Sequence, residues 1–492
     1  MTARALMVWG TSSHAGKSWL TTALCRWAAR QGVDVVPFKA QNMSNNARVV
    51  PGLDGGFGEI GAAQYFQALA ARAAPAIDMN PVLLKPERDT ASQVVLHGRA
   101  EPALSRLPWR ERSVQLAHGA HTSLQRLMQA HELVVIEGAG SPAETNLADH
   151  DYVNLQTARW SRAQTLLITD IDRGGAFAHL YGTWALLPDD LRCSLQGFVL
   201  NRFRGDAALL SPGPEQLQAR TGVPTLAVLP LWRGHGLPEE DGIFDETPRG
   251  VGAVTLRVAV VAYPRVSNLD EFQPLHSVPG LRLTWAREPA ALEGADWIIL
   301  PGSKQVSGDL AWLRAQGLDA AVQRHAAAGG AVLGICGGLQ MLGQTLADPD
   351  GADGEAGSSG EGLGLLPLQT VYAHGKRVQR TALRFGAAHG PWAALQGVAA
   401  SGYEIRQGRT ALRADGSTAH EALHDASGAA IGWQQGSVLG VYAHGLFESP
   451  AVVQALFGAA TPTLDSVFDG LADFIDAAFV PGALRRLLLG AE

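Results

Sequence analysis

Short apolar runs alternate with longer stretches of helical periodicity along this chain. Residues 5–9, 33–38, 133–136, 165–169 and 197–200 are apolar runs of the kind that form strands buried on both faces. The helical stretches between them predict crossovers, and hence a doubly wound α/β domain with a parallel sheet. A second α/β series occupies residues 256–262, 297–300, 331–335 and 438–442. Between the two series the periodicity lapses over residues 231–252, which are rich in Gly, Pro and acidic residues.

The expected division is therefore a first α/β domain over residues 1–235, a linker over 236–252 and a second α/β domain over 253–447. A helical segment over 448–492 follows. Residues 347–362 are dominated by Gly, Ala, Asp, Ser and Glu, which reads as a flexible surface insertion. In the tail, Leu464, Val467, Phe468, Leu471 and Ile475 fall on one helical stripe, with Asp465, Asp469 and Asp476 outside it. That acidic face is the opposite of what anionic lipid attracts. The expectation is a docking helix that completes the second domain.

Composition narrows the class. A chain of 492 residues is too long for one hydrophobic core. With 46% hydrophobic and 17% charged residues it is globular rather than disordered. A formal charge of -7 and the lack of a dense Lys/Arg run argue against nucleic-acid binding. No apolar run reaches the roughly 20 residues that span a bilayer, and no export signal is read at the start. A cytoplasmic protein without a membrane partner is expected. Cys25, Cys193 and Cys336 form an odd, widely spaced set, which fits neither a disulfide framework nor a zinc site.

After the first strand comes GTSSHAGKS, residues 10–18, opening a helix at Trp19. A phosphate cradle needs small residues so that backbone N–H groups converge on oxygen, a lysine for the β/γ-phosphates and a hydroxyl for Mg²⁺. Gly10, Thr11, His14, Ala15, Gly16, Lys17 and Ser18 are the candidate ATP-binding residues. Residues 133–136 run into Glu137-Gly138-Ala139-Gly140. A carboxylate at the C-terminal end of a strand is where α/β sheets bind ligands, and as a hard oxygen donor it suits Mg²⁺. Glu137 and Glu59, in GEIGAAQ, join Ser18 as candidate metal ligands. Lys39, after the second strand, is a candidate for a substrate carboxylate. Asn201, ending GFVLN, is a candidate contact to the nucleotide base.

In the second series, residues 331–335 lead into Gly334-Ile335-Cys336-Gly337-Gly338 and then a helical pattern. This is a strand, a sharp turn bearing a nucleophile, and a helix, with glycines that permit a strained backbone. The helix N-terminus favours the thiolate. A thiolate that attacks an amide needs an oxyanion hole and a proton carrier. Gly302 and Ser303, at the end of residues 297–300, and Gly337 can supply the backbone amides. His444, in VYAHGLFE, is the favoured proton carrier, and His374, in VYAHGKR, is its rival on local sequence alone.

Five residues separate Gly10 from Gly16, a loop similar to that of the dethiobiotin synthetase-like branch of P-loop enzymes. Partitioning-type ATPases carry a further lysine early in this loop, and none stands between Gly10 and Lys17. The pairing of Cys336 with His444 resembles triad-type class I glutamine amidotransferases, whose second domain is flavodoxin-like. That pattern places Glu two residues after the His. Here Leu446 stands there and the nearest acid is Glu448, so the third member stays open. PFKAQNMSNN, EIGAAQ, MNPVLLKP, SQVVLHGR, EGAGSPAETNL, DIDRGGAFA and NRFRGD resemble segments of the cobyrinate/cobyric acid glutamine amidotransferase family.

That resemblance implies an ATP-Mg²⁺-dependent ligase that takes ammonia from glutamine. Its expected reaction is amidation of four peripheral carboxylates (b, d, e and g) of adenosylcobyrinic acid a,c-diamide in cobalamin biosynthesis. The alternative within the family is an a,c-diamide synthase. A reading of another class is a non-catalytic P-loop ATPase with a degenerate glutaminase domain, which the intact cysteine turn argues against. The implied partner is a small-molecule corrin, and a homo-oligomer is left open.

Overall fold

The computed structural model describes residues 3–88, 91–238, 253–413 and 419–490. Its first sheet has six parallel strands in the order Thr225–Pro230, Leu195–Phe203, Gln164–Asp170, Arg4–Gly10, Leu133–Glu137 and Val35–Phe38. Leu6, Met7, Val8 and Trp9 are fully buried, because helices cover both faces of the central strand. Every apolar run read in the first series is one of these strands. Their C-terminal ends face one edge, and that edge carries the loop of residues 10–18 and the turn after Glu137.

The second sheet begins as a parallel array in the order Leu281–Ala286, Leu256–Val261, Trp297–Leu300, Ala331–Ile335 and Val438–Val441. It then continues in mostly antiparallel fashion through Ala430–Gln435 and His420–His424 to Leu368–Phe385, which pairs along its length with Ala399–Leu412. These later strands mix polar and apolar positions because one face is in solvent, so they lack the continuous apolar signature of the parallel array.

Two expectations are corrected. Residues 347–362 are not a loose insertion. Thr345–Asp348 pairs antiparallel with Ser358–Glu361, and Asp348 accepts backbone N–H groups of Ala352, Asp353 and Gly354. The carboxylate therefore builds the turn that composition alone read as flexible. The linker falls largely on residues 239–252, which lie outside the described residues. Leu237, at its start, is buried in the first half's core.

The tail is the second correction. Pro450–Phe457 packs on the second core through Val452 and Val453, but Leu464–Ala478 and Ala483–Leu489 return to the first half. Phe468, Leu471 and Ile475 pack beside Leu20, Leu24 and Trp27 of the helix Lys17–Arg30. The acidic positions flank this contact. Asp469 Oδ1 accepts from Arg26 Nε at 2.8 Å, and Asp476 Oδ1 accepts from Trp27 Nε1 at 2.7 Å. The stripe and its acids match a helix that carries Arg26, Trp27 and Arg30, a complement some 440 residues away in sequence that no local pattern encodes.

Leu471 is fully buried. The Leu471→Ala substitution is expected to destabilise the protein by about 2–5 kcal/mol. The loss should appear as faster hydrogen exchange in the helix Lys17–Arg30, with exchange in the strand Ala331–Ile335 unchanged.

Candidate active site

The loop of residues 10–18 is built by close approach. Gly16 takes φ 105° and caps the helix Lys17–Arg30. A Cβ on Gly16 would fall 2.1 Å from Asn201 Nδ2, which itself donates to Ala15 O at 2.9 Å. Only glycine fits there. Gly10 passes so near Lys17 that a Cβ would lie 2.9 Å from Nζ. Lys17 Nζ donates to Ser12 O and Gly140 O, arching over the loop. Thr11 Oγ1 lies 2.8 Å from Thr169 Oγ1, fixing the loop to the neighbouring strand. His14, at φ 60°, borders the cavity.

That cavity is also lined by Gly16, Lys17, Ser18, Lys39, Glu137 and Gly140. Glu137, 1% exposed, accepts from Ser18 Oγ at 2.8 Å, Lys39 Nζ at 2.7 Å and Gln67 Nε2 at 2.6 Å. Burial alone would raise its pKa. The Lys39 ammonium, with hydrogen bonds from Lys39, Gln67 and Ser18, outweighs burial and holds the carboxyl below its ordinary range.

Two sequence candidates are placed elsewhere. Asn201 is engaged with the loop backbone, since besides donating to Ala15 O it accepts from Arg202 N. It supports the cradle rather than facing the cavity. Glu59 does not reach the loop. Its carboxylate is buried at the seam between the two halves, paired with Lys85 and, at 2.6 Å, with Lys376. Two lysines there hold it as an anion against the cost of burial.

In the second half, Cys336 ends the strand Ala331–Ile335 with φ 50° and ψ -102°, a strained backbone typical of a nucleophile turn. The strain is held from both sides. Cys336 N donates to Val441 O at 2.8 Å, and a Cβ on Gly338 would strike Leu300 O at 1.9 Å. A Cβ on Gly337 would lie 2.8 Å from Ser303 N, and one on Gly302 would lie 2.8 Å from His444 Cε1. The turn at Gly302 and Ser303, the turn at Gly337 and the histidine thus crowd around one thiol.

His444 is 1% exposed and shares the cavity of Cys336, whose Sγ donates to Ile405 O at 3.6 Å. Its Nδ1 lies 3.0 Å from Glu271 Oε1, while Glu271 Oε2 accepts from Gly445 N at 2.9 Å. Glu271 is the residue that sequence reasoning missed. It stands 173 residues before the histidine, and no spacing rule connects NLDEF to VYAHG. Glu448 instead pairs with Arg48 at 2.6 Å. His374 is exposed on the long strand Leu368–Phe385, outside the cavity around Cys336, and this removes it as a rival.

Burial opposes protonation of His444, but the Glu271 carboxylate and the Cys336 sulfur more than offset it, raising the pKa from 6.5 to about 10. A raised histidine pKa contributes stability that is complete below the unfolded-state value and is lost as pH rises through the folded value. The imidazolium should therefore persist to about pH 10. In Glu271→Gln the midpoint should fall towards 6.5, as read by nitrogen NMR of labelled histidine. An unmoved midpoint would rule out the carboxylate as the cause.

The chain can be compared with known proteins on this geometry. Residues 6–233 match the CobQ/CobB/MinD/ParA nucleotide binding domain, and residues 257–452 match the CobB/CobQ-like glutamine amidotransferase domain. Cobyric acid synthase of Leptothrix cholodnii is 64% identical, with 99% of this chain and 97% of that protein covered. Cobyric acid synthase of Methylibium petroleiphilum is also 64% identical, covering 100% of this chain and 98% of that protein. That of Variovorax paradoxus is 62% identical, over 99% and 100%. A nucleotide cradle and a buried cysteine–histidine pair on two α/β sheets are what such a two-part enzyme requires: the chain belongs to the cobyric acid synthase family of ATP-dependent glutamine amidotransferases.

Proposed function

We propose that this enzyme amidates the b, d, e and g carboxylates of adenosylcobyrinic acid a,c-diamide in the cytoplasm, as a step of cobalamin biosynthesis. The observation that carries the reading is the end-to-end identity with cobyric acid synthases. The segments around Lys39, Asn80 and Lys85 favour it over an a,c-diamide synthase. In domain terms, residues 1–235 form the carboxylate-activating half and residues 253–447 the glutaminase. Of the tail, Pro450–Phe457 stays with the second half, and Leu464–Ala478 and Ala483–Leu489 join the first.

In the glutaminase, the Cys336 thiolate attacks Cδ of glutamine. The oxyanion is received by backbone N–H groups at Gly302, Ser303 and Gly337. His444 gives its proton to the departing nitrogen, the C–N bond breaks, and a glutamyl thioester is left for water to hydrolyse. Glu271 holds His444 by Nδ1, so that the other ring nitrogen faces the thiol, completing the triad in place of the missing acid after the histidine.

In the synthetase half, Lys17 and the backbone of residues 10–16 hold the ATP phosphates. Ser18 Oγ and Glu137, 2.8 Å apart, are hard oxygen donors suited to Mg²⁺, which neutralises phosphate charge when bound. Lys39 is positioned to hold the substrate carboxylate. A carboxylate oxygen displaces ADP from the γ-phosphorus, giving an acyl phosphate. Ammonia then attacks the carbonyl carbon and phosphate departs. The cavity around Cys336 is lined in part by Asn45 and Lys85 of the first half, so ammonia released there emerges facing the synthetase.

Mass analysis of the corrin after incubation with ATP-Mg²⁺ and glutamine should show four successive amidations. Amidation of cobyrinic acid at two positions would favour the a,c-diamide synthase instead. The Cys336→Ala variant should lose glutamine-dependent synthesis and keep synthesis from ammonium salt. Simultaneous loss of both would overturn the division of labour.

A further inference from the structure

The triad acid stands on a segment that touches the other half of the molecule. Glu271 lies in Leu269–Ser277, preceded by Asn268 in a left-handed conformation. Residues 46–48 of the first half bind this segment residue by residue. Leu269 N donates to Asn46 Oδ1 at 3.0 Å, and Ala47 N donates to Asn268 Oδ1 at 3.1 Å. Arg48, 2% exposed, pairs with Asp270, the neighbour of Glu271. The same guanidinium pairs with Glu448 at 2.6 Å and lies 5.1 Å from the centre of the Tyr403 ring. Tyr403 in turn stacks on His444 at 5.4 Å and 21°, and the two exchange backbone hydrogen bonds. One buried cation from the synthetase half thus braces the elements on both sides of the Glu271–His444 contact.

We infer that Asn46 and Arg48 are positioning residues of the glutaminase, so that the second half does not hold a competent triad without the first. This rests on the reading of Glu271 as the triad acid. Asn46 fixes the left-handed entry to the segment. Arg48 fixes the side-chain direction at Asp270, and with it the backbone that carries the adjacent Glu271. Neither side chain lines the cavity around Cys336, so neither enters the chemistry directly. The same stretch of chain begins at Lys39, which is hydrogen-bonded to Glu137 in the nucleotide cavity. About ten residues therefore join the phosphate site to the triad.

The test uses the full-length enzyme with Arg48→Met, Arg48→Lys, Asn46→Ala and Glu271→Gln, assayed for glutamine hydrolysis and for synthesis from glutamine or ammonium chloride. In Arg48→Met, kcat for glutamine hydrolysis should fall about 10–100-fold, the range seen when a residue that orients a reacting group is lost. KM for glutamine should hold, and synthesis from ammonium should continue. Arg48→Lys should restore part of the loss, and Asn46→Ala should fall in the same direction. Arg48→Met placed on Glu271→Gln should add little, because both act on one contact. Equal loss of the glutamine and ammonium activities in both Arg48→Lys and Asn46→Ala would mark a merely structural role and overturn the inference. Unchanged glutamine hydrolysis in all three would overturn it as well. If Glu271→Gln alone leaves hydrolysis intact, the triad reading fails and takes the inference with it. If Glu271→Gln abolishes hydrolysis while the Arg48 and Asn46 variants leave it unchanged, only the inference fails.

Discussion

Arg48 carries a charge that water cannot reach, and much of the architecture follows from how that charge is satisfied. A guanidinium in a dry seam is tolerated only when carboxylates and further hydrogen bonds surround it, and removing a partner typically costs about 3–5 kcal/mol. Asp270 and Glu448, both from the second half, supply the counter-charge. Phe66 and Tyr65 of the first half and Tyr403 of the second lie against the guanidinium. The seam is therefore specific rather than merely adhesive. Glu59 with Lys85 and Lys376, and Lys304 with Glu87, repeat the arrangement around the mouth of the cysteine cavity.

This arrangement fits two incompatible chemistries into one chain. Acyl phosphates hydrolyse in water and ammonia is protonated by it, so each intermediate survives only if the places where it forms and reacts are close and screened. Each sheet presents its reactive groups at the C-terminal ends of parallel strands, as α/β sheets do. The seam brings Asn45 and Lys85 of the first half to the wall of the Cys336 cavity. Among the described residues no helix is long and apolar enough to cross a membrane.

Sequence was most informative where chemistry and backbone constraint coincide in consecutive residues. The loop ending in Lys17 and Ser18, and the turn at Cys336, each combine a reactive group with glycines that a Cβ would block, so both were legible locally. His444 was legible as a strand-end histidine, although only the tertiary fold separates it from His374. Glu271 and Arg48 were not legible, because their roles arise from contacts across 173 and 222 residues. Glu59 shows the opposite error. Its neighbourhood in sequence suggested ligand contact, yet a lysine pair holds it at the seam. The tail failed for the same reason as Glu271: an amphipathic stripe announces that a partner exists, not which one.

The returning tail also has a consequence for how the molecule is made. The helix Lys17–Arg30 leaves the ribosome well before the helix that covers its apolar face, Leu464–Ala478, some 440 residues further on. At about 5–20 residues per second, the nucleotide half waits on the order of tens of seconds with Leu20, Leu24 and Trp27 uncovered. During that interval it is a folded but unfinished body with a sticky flank, a ready surface for a holding chaperone. Completion of the first half is thus timed by synthesis of the second, and a truncated chain would carry its nucleotide loop on an exposed, unsealed support.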